Sequence, residues 1–436
     1  MCSFLVTNKS IEDFDSVNHY LKYRGPDHTS VLKDGDWTLV HNLLSITGEF
    51  TPQPLERNGV FLMFNGEIYN YLAQPGYSSE AEYMLSRYEE VGTSFLNELD
   101  GEFAIVILDR NKNILHFASD AFCTKPLYFA NEGSRIAVSS YASAVSRTGF
   151  DKPNRAEPNT VYTFDLTDGV ILVSPIFTWD LSQTVDSYEP WEESFIDAVA
   201  KRTQQTRGTF LVPMSSGYDS GVIVCALQDI ADKDFITYSF YGNENPQVIQ
   251  DRLKTHSKKY IESSITEDDK NNVLADFNKY VEPFYYGAHP GHRMYEGFDD
   301  RGAIGLYYIL KRVKQEHNIR VQLSGQGGDE ITGTIPTYGF NTRNPGEWPK
   351  DLTGIFPWGN FYYGANWSYL NKEECIAGSL GIETRYPLLD RKVVQSFINL
   401  TSEYKNKFYK APLHAFMSKR KFSFRQEKLG FNLQIS

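Results

Sequence analysis

The chain has 436 residues, of which 22% are charged, and a formal net charge of −12 at pH 7. This length predicts two domains of roughly 200 residues each, because a single compact core seldom grows so large. The acidic balance, without any basic block, argues against nucleic acid or an anionic membrane surface as the main ligand. No apolar run approaches the ~20 residues of a membrane span, and the N-terminus lacks a secretory signal, so we expect a cytoplasmic protein that acts on small molecules.

Cysteine and histidine spacing gives little sign of a metal site. The chain has four widely spaced cysteines without a CxxC motif: Cys2, Cys123, Cys225 and Cys375. Neither a zinc site nor a disulfide framework is therefore predicted. His289 and His292 have HxxH spacing, but the Pro and Gly between them predict a loop, and a shared metal there is the weaker alternative.

Cys2 directly follows the initiator methionine. Removal of Met1, which a small second residue permits, would leave a cysteine with a free α-amino group. Such an amine titrates at about pH 8 and can take the thiol proton, so that the thiolate attacks an amide without a separate histidine. The alternative is that a cysteine at this position is incidental.

Four further segments follow Cys2 in order. They are residues 24–27 (RGPD), 64–70 (FNGEIYN), 100–104 (DGEFA) and 120–128 (DAFCTKPLY). With Cys2, they resemble the glutaminase domain of class II glutamine amidotransferases, a four-layer αββα fold of the Ntn-hydrolase type. The resemblance implies that Cys2 is the nucleophile that releases ammonia from glutamine.

The same resemblance assigns the oxyanion hole to Asn65 and Gly66. An Asn amide and a Gly backbone N–H are suitable donors to a tetrahedral oxyanion, and losing one such donor typically costs ~3 kcal/mol of barrier. Asn-Gly is also the strongest signal for a type I′ hairpin turn, so a turn is the structural alternative, and the two interpretations are compatible.

The glutamine pocket implied by the resemblance comprises Leu44, Ile46, Glu67 and Glu80. Two positions depart from the family pattern. A stretch that usually reads HxRLxI, whose Arg clamps the substrate carboxylate, reads HNLLSI here, with Leu43 in place of the Arg. The Asp of an SD pair, which holds the substrate amine, is replaced by Glu80. Because an apolar side chain cannot clamp a carboxylate, we expect weak glutamine binding.

A polar stretch with few apolar anchors predicts a linker over 179–190, between a domain at 1–178 and a domain at 191–436. Apolar periodicity predicts strands over 136–139, 160–164, 209–212, 235–241, 260–264 and 321–323, and helices over 191–204, 222–227, 268–280 and 303–316. In the second domain, strands and helices alternate. This alternation indicates an α/β fold with a mainly parallel sheet, whose ligands bind at the carboxyl ends of the strands.

A first loop in the second domain reads SSGYDSG. Its polar and small residues are Ser215, Ser216, Gly217, Asp219 and Ser220. The hydroxyls can donate to phosphate oxygens, glycine lets the backbone approach closely, and Asp219 is placed to hold a magnesium ion. The following helix points its free N–H groups toward the loop. The pattern indicates a polyphosphate site, with an ordinary turn capped by Ser or Asp as the alternative.

A second loop, residues 324–330, reads SGQGGDE and ends in two carboxylates. Together, the loops resemble the PP-loop ATP-pyrophosphatase core of the asparagine synthetase family, whose loops usually read SGGxDS and LSGEGxDE. Beyond the first loop, the resemblance assigns ATP and pyrophosphate to Ser239, Ser324, Gly325 and Lys410. It assigns Mg²⁺ to Asp219 and Asp329.

Further roles follow from the same resemblance. Gln326 stands where the second loop usually has a catalytic Glu. Glu383 lies in GIETRYPLLD, close to the family's GxExRxPFLD, and Lys428 lies in KLGF, which matches KxGF, whose Lys stabilises the leaving pyrophosphate. Arg301 falls where the family has a residue facing the acyl substrate, and a solvated helix N-terminus is the equal alternative.

The resemblance covers nearly the whole chain and implies an ATP-dependent carbon–nitrogen ligase. A carboxylate, aspartate or an analogue, would be activated as an acyl-adenylate with release of pyrophosphate. Ammonia from glutamine would then reach the acyl carbon by a path shielded from water. The resemblance leaves a homodimer open.

Two other functions remain as alternatives. A β-lactam-synthetase-like ligase or cyclase would use a substrate amine and a degenerate glutaminase domain; Leu43 and Glu80 favour it, and Cys2 disfavours it. A regulatory relative without activity is the third, against which Asp219 and Asp329 argue.

Overall fold

The computed structural model describes residues 2–74, 76–204, 206–230, 234–240, 244–255, 259–286, 295–333 and 347–425. The chain forms two compact units. The first comprises Met1–Thr178, Tyr280–Pro283 and Glu374–Glu383, and the second comprises Trp179–Lys279, Phe284–Glu373 and Thr384–Ser436. Within the described ranges, no helix combines the length and the apolar character needed to cross a membrane.

The described residues up to 178 form twelve strands and four α-helices. The strands are β1 (Ser3–Thr7), β2 (His28–Asp34), β3 (Trp37–Leu43), β4 (Leu55–Arg57), β5 (Val60–Ile68), β6 (Gly101–Asp109), β7 (Ile114–Ser119), β8 (Tyr128–Glu132), β9 (Arg135–Ser139), β10 (Asn154–Arg155), β11 (Thr160–Asp165) and β12 (Ile171–Pro175). The helices are α1 (Phe14–Val17), α2 (Leu21–Arg24), α3 (Glu80–Val91) and α4 (Ala142–Arg147). The strands form two six-stranded sheets, in the orders β10-β8-β9-β1-β3-β2 and β12-β11-β7-β6-β5-β4.

Strand β5 shows why this unit is layered. Its residues alternate between two cores: Phe61 and Met63 pack in the core that also contains Phe4 of β1, whereas Leu62 and Phe64 pack in the core that contains α3. Since successive side chains of a strand point to opposite faces, β5 reads as a continuous apolar run. Helix α2 packs on β1 and β3, and α4 packs on β8 and β9. The predicted αββα fold is confirmed.

From residue 189 onward, helices and strands alternate. The helices are α5 (Glu189–Gln204), α6 (Asp219–Asp229), α7 (Pro246–Thr255), α8 (Glu267–Tyr280), α9 (Arg301–His317), α10 (Gly328–Thr332), α11 (Gly364–Ser379), α12 (Arg391–Asn399), α13 (Ser402–Asn406) and α14 (Ala411–Lys419). The strands are β13 (Phe210–Pro213), β14 (Phe235–Phe240), β15 (Lys259–Ser263), β16 (Tyr285–Tyr286), β17 (Tyr295–Glu296), β18 (Val321–Leu323) and β19 (Glu383–Arg385).

Five of these strands form a sheet in the order β15-β14-β13-β18-β19. Strand β13 runs parallel to both β14 and β18, and β14 runs parallel to β15. The predicted α/β fold is thus confirmed. Because β13 and β18 are parallel neighbours, the loops that follow them lie at the same edge of the sheet, where ligands of such folds bind.

Helix α5 begins at Glu189, two residues before the predicted start. The prediction placed Pro190 in the linker, yet proline is tolerated in the first turn of a helix because its missing N–H would have no intrahelical partner there. Glu189 and Glu192 add acidic charge to that turn, where the helix dipole favours it.

Candidate functional site

Cys2 lies buried just before β1 and lines a cavity of about 510 Å³ that is open to solvent. Arg24 Nε donates a hydrogen bond of 2.9 Å to the Cys2 carbonyl oxygen, and Ser3 Oγ donates one of 2.8 Å to the Leu21 carbonyl. Burial raises the pKa of the Cys2 thiol to about 11, against a lowering contribution from the Leu44 backbone N–H. At neutral pH the thiol therefore carries its proton and needs a base before it can attack.

Asn65 and Gly66 lie inside β5, paired with Ala104 and Phe103 of β6, so the predicted hairpin turn is wrong. Gly66 has φ +132°, and a Cβ there would lie 1.8 Å from the Glu102 carbonyl oxygen. Glycine is required because the two backbones approach closely, not because the chain reverses. An Asn-Gly pair is typical of turns, but here its glycine occupies a position within a strand where the backbone conformation is distorted.

The side-chain amide of Asn65 is fully buried, and neither its Nδ2 nor its Oδ1 has a hydrogen-bond partner among the residues that the structure describes. An orphaned buried amide typically costs ~1–3 kcal/mol. Gly66 lines the same cavity as Cys2, whereas Asn65 does not. An unpaired donor beside a nucleophile pocket is the chemistry that an oxyanion hole needs.

The four residues predicted to bind glutamine all line the cavity with Cys2: Leu44, Ile46, Glu67 and Glu80. Leu43 lines it as well. Thr47 and Tyr71 also line the cavity and were not predicted to do so. Neither residue lies in a sequence motif that indicates ligand binding.

The lining of this cavity is acidic. It includes three carboxylates, Glu49, Glu67 and Glu80, and none of the described residues that line it is Lys, Arg or His. Thr47 Oγ1 lies 3.0 Å from both carboxylate oxygens of Glu67, and the Ile68 N–H donates a bond of 2.6 Å to Glu80. Burial and the nearby carboxylates of Glu80 and Glu67 raise the pKa of Tyr71, which also lines the cavity, to about 12.

Next to Cys2, a buried charge cluster comprises Arg24, Lys125, Glu102 and Glu374. Their side chains are at most 3% exposed. Arg24 pairs with the Glu374 carboxylate and also donates a bond of 2.9 Å to the Glu374 carbonyl, and Lys125 Nζ lies 3.3 Å from Glu102 and from Glu374. Two positive and two negative charges balance, which a buried cluster requires.

The first loop of the second domain, residues 215–221, is closed by its own hydroxyls. Ser220 Oγ accepts a bond of 3.0 Å from the Ser215 N–H, and Ser215 Oγ accepts one of 3.2 Å from the Gly217 N–H. Two residues that sequence reasoning missed also hold it. Arg252 donates to the Ser215 and Gly217 carbonyls, and Glu244 accepts from the Ser216 N–H and, at 2.5 Å, from Ser216 Oγ.

Glycines let the two loops pack against each other. A Cβ on Gly325 would lie 2.8 Å from the Asp219 carbonyl carbon, and a Cβ on Gly328 would lie 2.0 Å from Asp219 Oδ1. This packing brings Asp219 and Asp329 to a common cation: Lys410 forms ion pairs with both, at 2.7 Å to Asp329.

Lys410 is fully buried at the N-cap of α14, in left-handed conformation with φ +50°. Burial lowers its pKa, but the carboxylates of Asp219 and Asp329 outweigh burial and raise the pKa well above its ordinary value. Tyr409 adds a hydrogen bond of 2.8 Å to Asp329. The point where the loops meet therefore holds one fixed positive charge between two carboxylates.

These residues fit a magnesium ion. Within the described ranges, no group of three or more His, Cys, Asp and Glu is arranged to hold a metal, but Mg²⁺ typically takes one or two carboxylates and completes its shell with phosphate oxygens and water. Asp219 and Asp329 would supply the carboxylates. The N-terminus of the eleven-residue helix α6 follows the loop and favours an anion.

The remaining predicted residues are placed as follows. Ser239 lies in β14, with its hydroxyl 2.8 Å from the Tyr260 hydroxyl. Ser324 Oγ accepts a bond of 3.1 Å from the Gln326 N–H, and the buried Gln326 Nε2 has no hydrogen-bond partner within the described part of the chain. Glu383 is fully buried in β19.

Arg301 is the exposed first residue of α9, behind the N-cap Asp300. This position fits the alternative of a solvated helix terminus better than a substrate contact. Lys428, His289 and His292 lie outside the described residues. All four cysteines lie in the described part of the chain, where they are buried and form no disulfide.

Comparisons with known proteins match both parts of the chain. Residues 1–167 match the family described as a glutamine amidotransferase domain, and residues 191–373 match the asparagine synthase family. The putative asparagine synthetase 1 of Methanocaldococcus jannaschii is 26% identical over 88% of this chain and 77% of that protein. A probable asparagine synthetase of Dictyostelium discoideum is 24% identical over 93% of this chain and 77% of that protein.

Among solved structures, glutamine phosphoribosylpyrophosphate amidotransferase of B. subtilis covers 82% of this chain and 97% of its own, at 12% identity and a TM-score of 0.33. A likeness at that score carries no argument about function. Nothing in the comparisons favours a β-lactam-synthetase-like ligase. The chain thus combines a match to a glutamine amidotransferase domain with a following match to an asparagine synthase domain, and asparagine synthetases are similar to it over most of its length.

Proposed function

We propose that this protein activates a small carboxylate with ATP, forming an acyl-adenylate and pyrophosphate, and amidates it with ammonia released at Cys2. The observation that carries the proposal is the meeting of Asp219 and Asp329, one from each loop, at Lys410. Such a site can neutralise the charge that moves during phosphoryl chemistry. Similarity to asparagine synthetases makes an ATP-dependent carbon–nitrogen ligase the expected enzyme class.

At the amide site, the thiol proton of Cys2 passes to the α-amine that removal of Met1 exposes. The sulfur then bonds to the amide carbon, and Asn65 with the Gly66 N–H would stabilise the oxyanion. The ammonium returns its proton to the leaving nitrogen, the carbon–nitrogen bond breaks, and water hydrolyses the thioester. The high pKa of the buried thiol, about 11, is the reason that the amine must act as base.

At the synthetase site, a carboxylate oxygen attacks the α-phosphorus of ATP, and the bond to pyrophosphate breaks. Mg²⁺ held by Asp219 and Asp329 would neutralise phosphate charge. Lys410 provides a fixed positive charge at the same point. By resemblance, Lys428 would stabilise the leaving pyrophosphate.

The amide bond then forms when ammonia attacks the acyl carbon and AMP leaves. Gln326 cannot remove a proton at neutral pH, because an amide only donates and accepts hydrogen bonds. Ammonia that arrives neutral needs no base to attack. We therefore infer that the site takes a nitrogen nucleophile that is already unprotonated.

The test is to incubate the protein with MgATP, ammonium and a panel of small carboxylates, including aspartate, and to measure AMP and pyrophosphate. We expect both products in equal amounts, and only with one or a few carboxylates. Release of ADP and phosphate would contradict adenylation. Asp268→Asn, an exposed position on α8, is the matched control for substitutions of the loop aspartates.

A further inference from the structure

The donors of the first loop, residues 215–221, already bind a carboxylate of the chain itself. The Ser216 N–H and the Ser216 hydroxyl both donate to the same oxygen of Glu244, Oε2, the hydroxyl at 2.5 Å. Ser216 is only 2% exposed, so water has little access to these donors. A backbone N–H and a hydroxyl of such a loop are the groups that bind phosphate oxygens. Glu244 therefore occupies donors that the sequence predicts for phosphate.

Arg252 explains why the Ser216 N–H meets an anion. Its guanidinium donates to the Ser215 carbonyl and, at 2.9 Å, to the Gly217 carbonyl. A planar trans peptide directs its C=O and its N–H to opposite sides. The two N–H groups that follow these carbonyls therefore point away from the guanidinium, and the first of them, that of Ser216, meets Glu244.

Arg252 also places a positive charge beneath the loop. Its side chain is fully buried, and Nε donates a bond of 2.8 Å to the Ser423 carbonyl. A Cβ on Gly221 would lie 2.4 Å from Arg252 Nη2, so the glycine leaves room for the guanidinium. Burial lowers the pKa of Arg252 to about 10, and the Glu244 carboxylate opposes that shift. The guanidinium is thus charged at neutral pH and favours an anion across the loop.

The topology of the sheet brings Glu244 to this loop. Glu244 lies between the carboxyl end of β14 and the start of α7, and β14 is the parallel neighbour of β13, which the loop follows. Both segments therefore lie at the edge of the sheet where ligands of such folds bind. Glu244 is half-buried, so its carboxylate has a route from the loop to solvent.

Two anions cannot share these donors. A phosphate oxygen bound to the Ser216 N–H and hydroxyl would take the place of Glu244 Oε2, and the two like charges would repel each other. We propose that Glu244 occupies the anion site of the first loop in the free protein, and that a phosphate group of ATP binds there by displacing it. Glu244 thereby lowers the affinity for polyphosphate. This inference rests on the proposed ATP site and adds a residue that sets its affinity.

Titration calorimetry of the full chain with magnesium pyrophosphate tests the displacement without catalysis. Glu244→Gln keeps an acceptor for Ser216 but removes the charge, and Glu244→Ala removes the acceptor as well. We expect Kd for pyrophosphate to fall by about 10-fold in Glu244→Gln and further in Glu244→Ala, because the phosphate then displaces no charged acceptor. Glu267→Gln, which removes an exposed carboxylate at the start of α8, is the matched control and should leave Kd within about 2-fold.

The sign of the change separates displacement from a supporting role. If Glu244 only held the loop in shape, both variants would bind pyrophosphate more weakly. Weaker or unchanged binding in Glu244→Gln would therefore overturn the proposal. Steady-state kinetics give a second readout: KM for ATP should fall by about 10-fold in Glu244→Gln, while kcat for AMP formation changes by less than about 3-fold. A fall in kcat with an unchanged KM would contradict displacement.

The failure of this inference differs from the failure of the proposed function. If ATP yields AMP and pyrophosphate but Glu244→Gln binds pyrophosphate no more tightly, carboxylate activation stands and only the displacement is wrong. If Glu244→Gln binds pyrophosphate more tightly but no carboxylate supports AMP formation, the displacement stands and the proposed chemistry is wrong.

Discussion

The two candidate sites differ in how their carboxylates are compensated. In the second unit, Asp219 and Asp329 share a buried lysine, Lys410, with which both form ion pairs. In the first unit, Glu67 and Glu80 accept from Thr47 and from a backbone N–H, and no described residue of the cavity lining is basic.

This difference determines which ligand charges each site can compensate. A fixed cation between two carboxylates keeps its surroundings near neutrality, so a divalent cation and a polyphosphate can enter together without a large change in charge. A cavity with carboxylates and neutral donors favours ligands that bring positive charge. The predictions below test whether the two sites act independently in this way.

The largest effect is expected from Cys2→Ala, which removes the nucleophile of one site only. Amide-dependent product formation should fall roughly 10⁴-fold or more, because nucleophile and base act as a unit. Product formation from added ammonium should stay within about 2-fold, since the loops are untouched. Parallel assays with the two nitrogen sources measure this, with Cys225→Ala as the control for loss of a thiol. Retained amide use in Cys2→Ala would refute the assigned nucleophile.

The second prediction concerns the carboxylates of the other site. Asp219→Asn or Asp329→Asn should lower AMP formation roughly 10²- to 10³-fold, because several kcal/mol of charge stabilisation is lost with the metal ligand. Glu80→Gln should leave AMP formation from ammonium unchanged. Steady-state assays of AMP at varied Mg²⁺ distinguish the variants. If both Asp variants retain full activity, magnesium does not bind at these residues.

A third prediction compares carboxylates as contributors to stability. Glu282 is buried and accepts bonds from the Ser143 N–H at 2.9 Å and hydroxyl at 2.5 Å, and burial raises its pKa from an ordinary 4.5 to about 7. The folded state thus holds a proton that the unfolded state loses between these values. The free energy of unfolding should fall by up to about 3 kcal/mol as pH rises from 4.5 to 7.

Asp390 is the contrasting case. Burial would raise its pKa, but Arg202 and Lys201 outweigh burial and hold the pKa well below its ordinary value. Its contribution to stability is present above that ordinary value and is lost as pH falls below it.

Urea denaturation tests the prediction for Glu282. Between pH 5 and pH 7.5, the free energy of unfolding should depend less on pH in Glu282→Gln than in the unmodified protein. Equal slopes would show that Glu282 titrates normally.

The smallest effect is expected at Gln326. Because the attacking ammonia is neutral, Gln326→Glu should change amide formation from ammonium by less than about 10-fold, and by less than Lys428→Ala does. The rate should rise with pH in step with the free-ammonia fraction. An additional ionisation with pKa near 6 to 7 that disappears in Glu383→Gln would instead indicate a base at this site.

Local patterns were sufficient to predict the α/β fold of the second domain and the two loops, because apolar periodicity and loop composition act over a few residues. The αββα fold of the first domain was instead implied by the family resemblance of its motifs. Strand β18 and the Ser215 loop were predicted correctly on that basis. The Asn65-Gly66 pair also suggested a turn that does not form. The sequence alone does not distinguish a glycine required by close backbone approach from a glycine required by a turn.

Long-range partners were not predictable from the same patterns. Arg252 lies on an amphipathic helix that gives no sign of its bonds to the Ser215 and Gly217 carbonyls. Glu374 forms an ion pair with Arg24, although most of the sequence separates the two residues. Such pairs depend on tertiary structure, and one sequence alone carries no signal of them.

The charge cluster also has a consequence for how the protein is made. Arg24 and Lys125 emerge from the ribosome early, whereas Glu374, one of the two carboxylates that balance them, is translated near the end of the chain. Until then, the nascent first unit would lack one of the carboxylates that compensate these two buried cations, and removing one partner of a buried ion pair typically costs ~3–5 kcal/mol. The nucleophile pocket should therefore reach its final form only late in synthesis, and a fragment that ends at residue 178 should be unstable.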